Sequence, residues 1–589
     1  MKQLLKSIWE HPRLRRYTSL VQDDLASTYS RDLHKWLLIA PILGVLTGLL
    51  ITAVIQIIVK WLWPAVLHQI LAHPLAMVPT VTVGFLAAGL IMQYWTPDPN
   101  EHSTEEIIHA YHEHQGAVEL RPFVPKLLAA VATVGLGGSA ALEGPSIYGG
   151  GSIGSWLWTR MRRLGLDSRD RRIMLISGAA AGMSAVFRAP LTGIIFALEM
   201  PYKDDLAHEA LMPSLIASVV SYATMATFLG STPLFDFGGG TTYTRQDLLW
   251  SAVLGAACGL VAMTFDITFR RFRGLCVRST IPHWVKMTAG GILTGCCGLA
   301  FLSMYPGRLV PLGPNYEAVS LVLQQSHGSV QLVVFGVFKL LATLFSLGVG
   351  GVSAMFVPLF LTGSSFGVAF GQSVVHSVSP DLYAAVGTAA FIAAGYKAPL
   401  TAVVFVAEAT GGHAFIIPAL IGAAIAYGVS GEASVSGDQR LHEGVRVEDL
   451  ANVPVSHAMQ RDVRTIEAER SLGEFAELVA TAKTHTLYPV LDSGRPIGTI
   501  AVNALNGVLR DQWAGVQVRK LMEREVERVA PEADLQEALR ILLSSARPHM
   551  LLVVSDQALV GVVTKSDILT ALGSHSGGPR GTHVPGEWR

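Results

Sequence analysis

The chain has 589 residues, 50% of them hydrophobic and only 15% charged, with a formal net charge of zero and a mean hydropathy of +0.42. Soluble globular chains carry about 25% charged residues, so a wholly water-soluble protein is excluded. The balanced charge gives no ground for nucleic-acid binding.

Residues 1–34 read as an amphipathic lead-in. Leu4, Leu5, Ile8 and Trp9 would share one face of a surface helix, with Lys2, Lys6, Arg13, Arg15 and Arg16 away from it. Basic residues ahead of the first apolar run predict a cytoplasmic N-terminus, and no cleavable apolar core is expected there. Uncharged stretches then run through 36–59, 74–95, 127–142, 211–235 and 340–380. A span takes about 20 apolar residues, so the first predicts a transmembrane helix, while others are short or broken by glycine. The 58 glycines are too many for simple packed spans, although some let helices approach closely. A first membrane half is predicted over 35–229 and a second over 248–433, with a polar loop at 236–245 between them. A linker is expected at 434–453, since the composition turns soluble from about residue 437. Cys258, Cys276, Cys296 and Cys297 lie in or beside apolar segments without metal-ligand spacing and read as free thiols.

The membrane part repeats itself. Residues 135–145 read GLGGSAALEGP and, at an offset of 213, residues 348–358 read GVGGVSAMFVP. Gly150, Ser152 and Gly154 continue the register with Gly363, Ser365 and Gly367. A second pair, FRAPLTGIIFALE at 187–199 and YKAPLTAVVFVAE at 396–408, stands at an offset of 209. The tail repeats too, ungapped at an offset of 63, over 459–504 and 522–567. Each tail copy reads as an extended lead, an amphipathic helix and two strands, hence a pair of α/β modules at 454–515 and 516–575. Residues 576–589 are expected to be disordered.

Irregular backbone at membrane depth is tolerated only where it is buried in protein or lines a cavity. Glycine and proline directly before an apolar helix leave its first amides free, and those amides attract anions. Interrupted segments at matching places in two repeats point to a central binding site. Pro145 and Pro358 sit in register at the first turn, where proline is tolerated. The plainer alternative is that the glycines only permit close packing. Glu143 is the sharpest residue, because a lone carboxylate within the membrane marks function by default. Beside an anion site it acts as a tethered competitor, occupying the site when ionised and leaving it when protonated. A purely structural glutamate at a helix start is the alternative.

On these residues the chain resembles the CLC family of chloride channels and proton-coupled anion transporters, with a C-terminal pair of CBS modules, over about residues 34–575. Residues 141–145 (ALEGP) match the family's GREGP motif, with Leu142 for arginine and Ala141 for glycine. Residues 355–358 (MFVP) match its GxFxP motif, and FRAPLTG, KAPLTA and Glu408 fit as well. The resemblance implies an all-α polytopic membrane fold of two inverted-topology repeats with broken helices, plus the α/β CBS pair. It implies a homodimer with one pathway per subunit, in the cell inner membrane with both termini cytoplasmic. Glu143 becomes the external gating and proton-accepting glutamate. Gly144, Met355 and Phe356 become anion-binding positions through their backbone.

Three departures stand out. The family's pore serine falls on His102, or on Ser103 with a one-residue gap. Its pore tyrosine has no counterpart after the last helix, where Ser436 or Gln439 takes the place. The internal glutamate of many proton-coupled members falls on Met200, which carries no proton, so that relay is absent or rerouted through water or Glu199. Glu199, like Glu408, is more often a hydrogen-bonded structural carboxylate in this fold.

His102, His109, His112 and His114 read as solvated rather than as a metal site, lacking cysteines or carboxylates at zinc spacing. Lys126, Arg188 and Lys397 border apolar segments and read as snorkelling anchors. In the tail, residues 562–567 (VVTKSD) resemble the CBS ribose and phosphate motif, with Thr564 and Asp567 in place. The first copy has Ala501 and Ala504 there, so one adenine-nucleotide site at most is implied and no cofactor is required. The reading is therefore a non-enzymatic transporter of small anions, chloride by default, exchanged for protons. A passive voltage- or pH-gated channel is the alternative, as are a carrier of nitrate, bicarbonate or fluoride and a CBS-centred regulator. A hydrolase finds no Ser/His/Asp or HExxH arrangement to support it.

Overall fold

A computed structural model describes residues 30–571 except 101–102, 120, 165, 233, 236–242, 315, 324–326, 378–379, 410–412, 441–452, 482–485, 525, 545–549 and 569–570. The amphipathic lead over 1–29, the glycines of the inter-repeat loop, His102 and the tail beyond 571 lie outside the described residues. The chain divides into two compact units, Met1–Glu443 and Gly444–Arg589.

The first unit is helical. Its first half comprises α1 (Ser30–Ile55), α2 (Trp63–Ala72), α3 (Met77–Trp95), α4 (Ser103–Glu113), α5 (Phe123–Gly135), α6 (Glu143–Met161), α7 (Ser168–Phe187), α8 (Pro190–Glu199) and α9 (Leu211–Leu229). Its second half comprises α10 (Arg245–Arg278), α11 (His283–Met304), α12 (Ala318–Leu323), α13 (Ser329–Leu347), α14 (Phe356–Phe370), α15 (Pro380–Tyr396), α16 (Pro399–Ala409) and α17 (Ile416–Val429). Among the described residues six stretches are long and apolar enough to cross a membrane: α1 continued through a π-helical turn into α2, then α3, α9, α10, α11 and α13. Leu49, Val83, Val219, Leu249, Leu293 and Val333 are exposed on them. In hydrocarbon such side chains are at home, while each helix satisfies its own backbone.

Four helices with glycine at their crossings, α6, α7, α14 and α15, form the buried centre. They cross with backbones in contact. A Cβ on Gly150 would lie 2.0 Å from the Gly178 carbonyl oxygen, and one on Gly363 would lie 2.3 Å from that of Gly387. α7 starts on a reciprocal cap, in which Asp167 accepts from the Asp170 amide at 2.8 Å and Asp170 from the Asp167 amide at 3.1 Å. It ends at Arg188 in the left-handed region (φ 55°), as α15 ends at Lys397 (φ 57°). Pro190 and Pro399 then open α8 and α16, positions where a missing amide hydrogen costs nothing.

The two halves meet at their own duplicates. Ala141 pairs antiparallel with Ala354, its amide 3.0 Å from the Ala354 carbonyl oxygen. These two residues are 213 apart, the offset of the sequence repeat. Gly137 and Gly350, equally spaced, share one backbone conformation (φ 110° and 109°) that favours glycine. A residue that pairs antiparallel with its own duplicate lies beside a local two-fold axis, the relation that inverted-topology repeats require.

Residues 434–440 differ from the expected linker. Ser434, Ser436 and Gln439 are buried within the first unit. Gln439 Nε2 donates to the carbonyls of Met200 (3.1 Å), Tyr202 (3.3 Å) and Tyr396 (3.0 Å). Polar residues occur here because they supply donors to carbonyls that helix ends leave free.

The second unit holds two three-stranded sheets, β1 (Ile466–Glu467), β2 (Leu487–Asp492) and β3 (Arg495–Ala501), and β4 (Arg528–Val529), β5 (Leu551–Ser555) and β6 (Ala558–Val563). In each the first strand runs parallel to the central one and the third antiparallel to it. α18 (Leu472–Thr481) and α19 (Leu535–Ser544) pack on them. The leads are exchanged between the modules. Gln460 pairs with Val562 and Glu523 with Thr499, while Val455 enters the core of the second module and Val518 that of the first. The boundary expected at 515/516 therefore separates the modules along the chain but not in space.

Candidate functional site

The segments preceding α6 and α14 bring two helix N-termini together at the centre of the first unit. Three further bonds fasten them. Ser139 donates its amide to Ser346 Oγ (3.0 Å), Ser139 Oγ lies 2.9 Å from Thr343 Oγ1, and Ser353 Oγ donates to the Ala141 carbonyl. The irregular backbone is thus satisfied by hydroxyls, as burial requires.

Glu143 begins α6 and is fully buried (0% exposed). Its Oε1 accepts the Phe356 amide hydrogen at 2.5 Å, while Oε2 has no hydrogen-bond partner among the described residues. Phe356 is the repeat equivalent of Glu143, at the offset of 213. One half therefore contributes a carboxylate and the other an amide at the equivalent place. Gly144 is buried in the first turn of α6. A carboxylate on the leading amide of a helix occupies the place of an anion.

The Met355 amide is engaged differently from expectation. It donates to Tyr396 Oη at 3.0 Å, and that hydroxyl lies 3.5 Å from Glu143 Oε1. Tyr396 ends α15, with its ring 5.5 Å from that of Phe196 and 6.0 Å from that of Phe356. Sequence reasoning missed this tyrosine. The signal available was the repeat, where Tyr396 stands over Phe187 and differs from it by one hydroxyl. Tyr396, Met355, Ser436, Thr104, Glu105 and Arg273 line a narrow cavity of about 30 Å³, room for one or two waters where about 10–15 Å³ holds one. Arg273 and Glu105 form an ion pair there at 2.6 Å. Ser436 is thus near the seat but is not bonded to Glu143, Met355 or Phe356 in any described contact. Ser103 begins α4.

Glu199 and Glu408 cap each other's halves. Glu199 accepts from the Leu400 amide (3.0 Å), the Thr401 amide (2.8 Å) and Thr401 Oγ1 (2.5 Å) at the start of α16. Glu408 accepts from the Leu191 amide (2.9 Å), the Thr192 amide (2.7 Å) and Thr192 Oγ1 (2.9 Å) at the start of α8. Both oxygens of each carboxylate are engaged, so Glu199 has the same capping role as Glu408. Met200, which follows it, is buried, and its carbonyl receives Gln439.

Lys126 is not a snorkelling anchor. It is buried, paired with Glu106 at 2.5 Å, and 5.1 Å from the centre of the Tyr148 ring. Lys397 donates to Ser430 Oγ (2.5 Å) and the Tyr427 carbonyl (3.2 Å), and Arg188 to the Thr232 carbonyl (3.0 Å). His112 Nε2 lies 2.7 Å from the Pro201 carbonyl oxygen. No cluster able to hold a metal is found among the described residues. In the tail, Asp567 Oδ2 accepts from the Thr564 amide (2.8 Å) and hydroxyl (2.6 Å), and Oδ1 accepts from Gln460 Nε2 (3.1 Å). The two residues named for nucleotide binding are therefore held together, with the exchanged lead beside them.

Residues 83–431 match the family described as voltage gated chloride channel, and residues 455–510 and 518–574 each match the CBS domain. An uncharacterized protein of Methanocaldococcus jannaschii, MJ0305, is 28% identical over 393 residues, 67% of this chain and 92% of that protein. The H(+)/Cl(-) exchange transporter ClcA of Yersinia pestis is 26% identical over 430 residues, 70% of this chain and 88% of its own. Among solved structures, a CLC-type fluoride/proton antiporter covers 69% of this chain and 98% of its own with a TM-score of 0.60 and 20% identity. A slow cyanobacterial Cl-/H+ antiporter covers 67% and 94% at a TM-score of 0.59 and 24% identity. A eukaryotic CLC transporter covers 91% and 98% at a TM-score of 0.57 and 20% identity. These structural likenesses establish a common fold.

Proposed function

Because this chain belongs to the CLC family of voltage gated chloride channels, we propose that it moves small anions, chloride first among them, across the membrane in exchange for protons. The observation that carries this reading is the Glu143 carboxylate on the Phe356 amide, fully buried at the junction of the two halves. Ionised, Glu143 fills the seat itself. A proton from the external side neutralises it and weakens it as an acceptor, so the side chain yields the Phe356 amide to an anion. Return of Glu143 to the seat expels the anion, and loss of its proton to the other side completes one exchange. The Yersinia pestis relative named an H(+)/Cl(-) exchange transporter supports exchange over passive flow.

A passive channel is the second reading, favoured by the apolar Met200 at the place of the internal glutamate and by the structural use of Glu199. Proteoliposomes carrying a chloride gradient, followed with a pH electrode, separate the two. Protons driven uphill by chloride, and lost in Glu143→Gln while chloride flux persists, are the expected result. Chloride flux without uphill protons in the wild type would establish the channel instead. The same assay with nitrate, bicarbonate and fluoride ranks the anions. The protein is read as a homodimer in the cell inner membrane with cytoplasmic termini. Its CBS pair is read as a regulatory unit taking one adenine nucleotide at Thr564 and Asp567.

A further inference from the structure

A hydroxyl has one hydrogen to give and two lone pairs to offer. At Tyr396 one lone pair is taken by the Met355 amide at 3.0 Å, so the hydrogen remains to be donated. Glu143 Oε1, at 3.5 Å, is the acceptor it faces in the seat. Two donors thus converge on one carboxylate oxygen, the Phe356 amide at 2.5 Å and the Tyr396 hydroxyl. Met355, expected to offer its amide to the anion, stands one bond behind. By donating to the hydroxyl it polarises that group and makes it a stronger donor.

We infer that Tyr396 is the residue that selects the anion in this chain, its hydroxyl and the Phe356 amide together forming the seat that Glu143 vacates. The inference rests on the transport reading above and gives it a chemical ligand. Tyr396 reaches the seat from the end of α15, not from the segment after α17, where Ser436 and Gln439 stand. Its ring is held between Phe196 and Phe356, and its own carbonyl receives Gln439 Nε2 at 3.0 Å. The hydroxyl is therefore fixed before an anion arrives, which spares the ordering cost of a mobile ligand. Tyr396 also lines the 30 Å³ cavity, so one residue belongs both to the seat and to the approach. A compact, strongly hydrated anion such as chloride gives up water to enter and needs both donors in return. Thiocyanate gives up less and depends on them less.

The variant Tyr396→Phe keeps the ring, deletes the donor and releases the Met355 amide. Chloride and thiocyanate binding to the purified full-length protein would be measured by titration calorimetry, in the wild type and in this variant. The expected result is a loss of chloride affinity of about tenfold, with a smaller loss for thiocyanate. Equal chloride affinity in the two proteins would overturn the inference and leave the transport reading standing. A wild type that neither binds nor carries chloride, nitrate or thiocyanate would overturn the transport reading, and this inference with it. If Tyr396→Phe yields no folded protein, bromide in crystals of Glu143→Gln decides the matter. An anomalous peak within hydrogen-bond reach of both Tyr396 Oη and the Phe356 amide supports the assignment, and a peak away from the hydroxyl overturns it.

Discussion

Glu199 and Glu408 each close the start of a helix belonging to the opposite half, taking two amides and one hydroxyl apiece. Replacing Glu199 with alanine leaves three donors without a partner, two of them on the buried Thr401. A buried unsatisfied group costs about 1–3 kcal/mol, so Glu199→Ala is expected to lower the unfolding temperature in detergent clearly, and Glu408→Ala to do so as well. Glu199→Gln keeps an acceptor and is expected to retain proton-coupled flux. Loss of coupling in that variant, with an unchanged melting curve, would return Glu199 to the proton route. At this scale the sequence was only partly legible. Glu143, Phe356 and the two capping carboxylates lie inside motifs that repeat, and repetition exposed them. Tyr396 lies inside a repeated motif too, but there it stands for Phe187, and an aromatic ring before APLT reads as packing in both copies. No local pattern states that the end of α15 reaches the amide at the start of α14. That contact comes from tertiary packing, which a motif search along the chain does not contain.

At the scale of elements, α6 and α7 cross through Gly150 and Gly178, and α14 and α15 cross through Gly363 and Gly387. Any Cβ at Gly150 would fall within 2.0 Å of a carbonyl oxygen that belongs to a helix backbone and has no rotamer by which to withdraw. Gly150→Ala and Gly363→Ala are expected to yield little monodisperse protein by size-exclusion chromatography. Gly437→Ala, with nothing within 4 Å of its added carbon, is expected to elute like the wild type. An intact, active Gly150→Ala protein would show that the helices part more easily than their packing implies. Long apolar spans were readable because lipid sets their composition. The central helices were harder to read as spans, since glycine, serine and charged ends lower the hydropathy of α6 and α7, while α14 and α15 are too short for a full span. The buried stretch 434–440 read as a linker for the same reason in reverse. Ser434 and Gln439 are polar because they feed hydrogen bonds to neighbouring backbone and side chains, not because they meet water.

Over the whole molecule, duplication occurs twice. The tail modules trade their leads, so Gln460, which belongs to the first module in sequence, donates to Asp567 in the second. A nucleotide at Asp567 would therefore bear on both modules at once. Titration of ATP, ADP and AMP into the full-length protein is expected to show one site per chain, lost in Asp567→Ala. Binding that survives this substitution would move the site elsewhere, and absence of binding in the wild type would leave the CBS pair a purely structural unit. In the membrane unit, the two-fold relation between halves has a further consequence. A two-fold backbone by itself presents the same face to either side of the membrane, and cannot tell inward from outward. Here the equivalent positions at the junction hold Glu143 in one half and Phe356 in the other, and likewise Phe187 and Tyr396. The two halves thus differ at the seat itself, a carboxylate standing against a phenyl ring and a phenol against another. Exchanging both pairs takes four substitutions, and is expected to move the carboxylate to the opposite half of the seat, read as a change in the side of the membrane from which pH controls chloride flux.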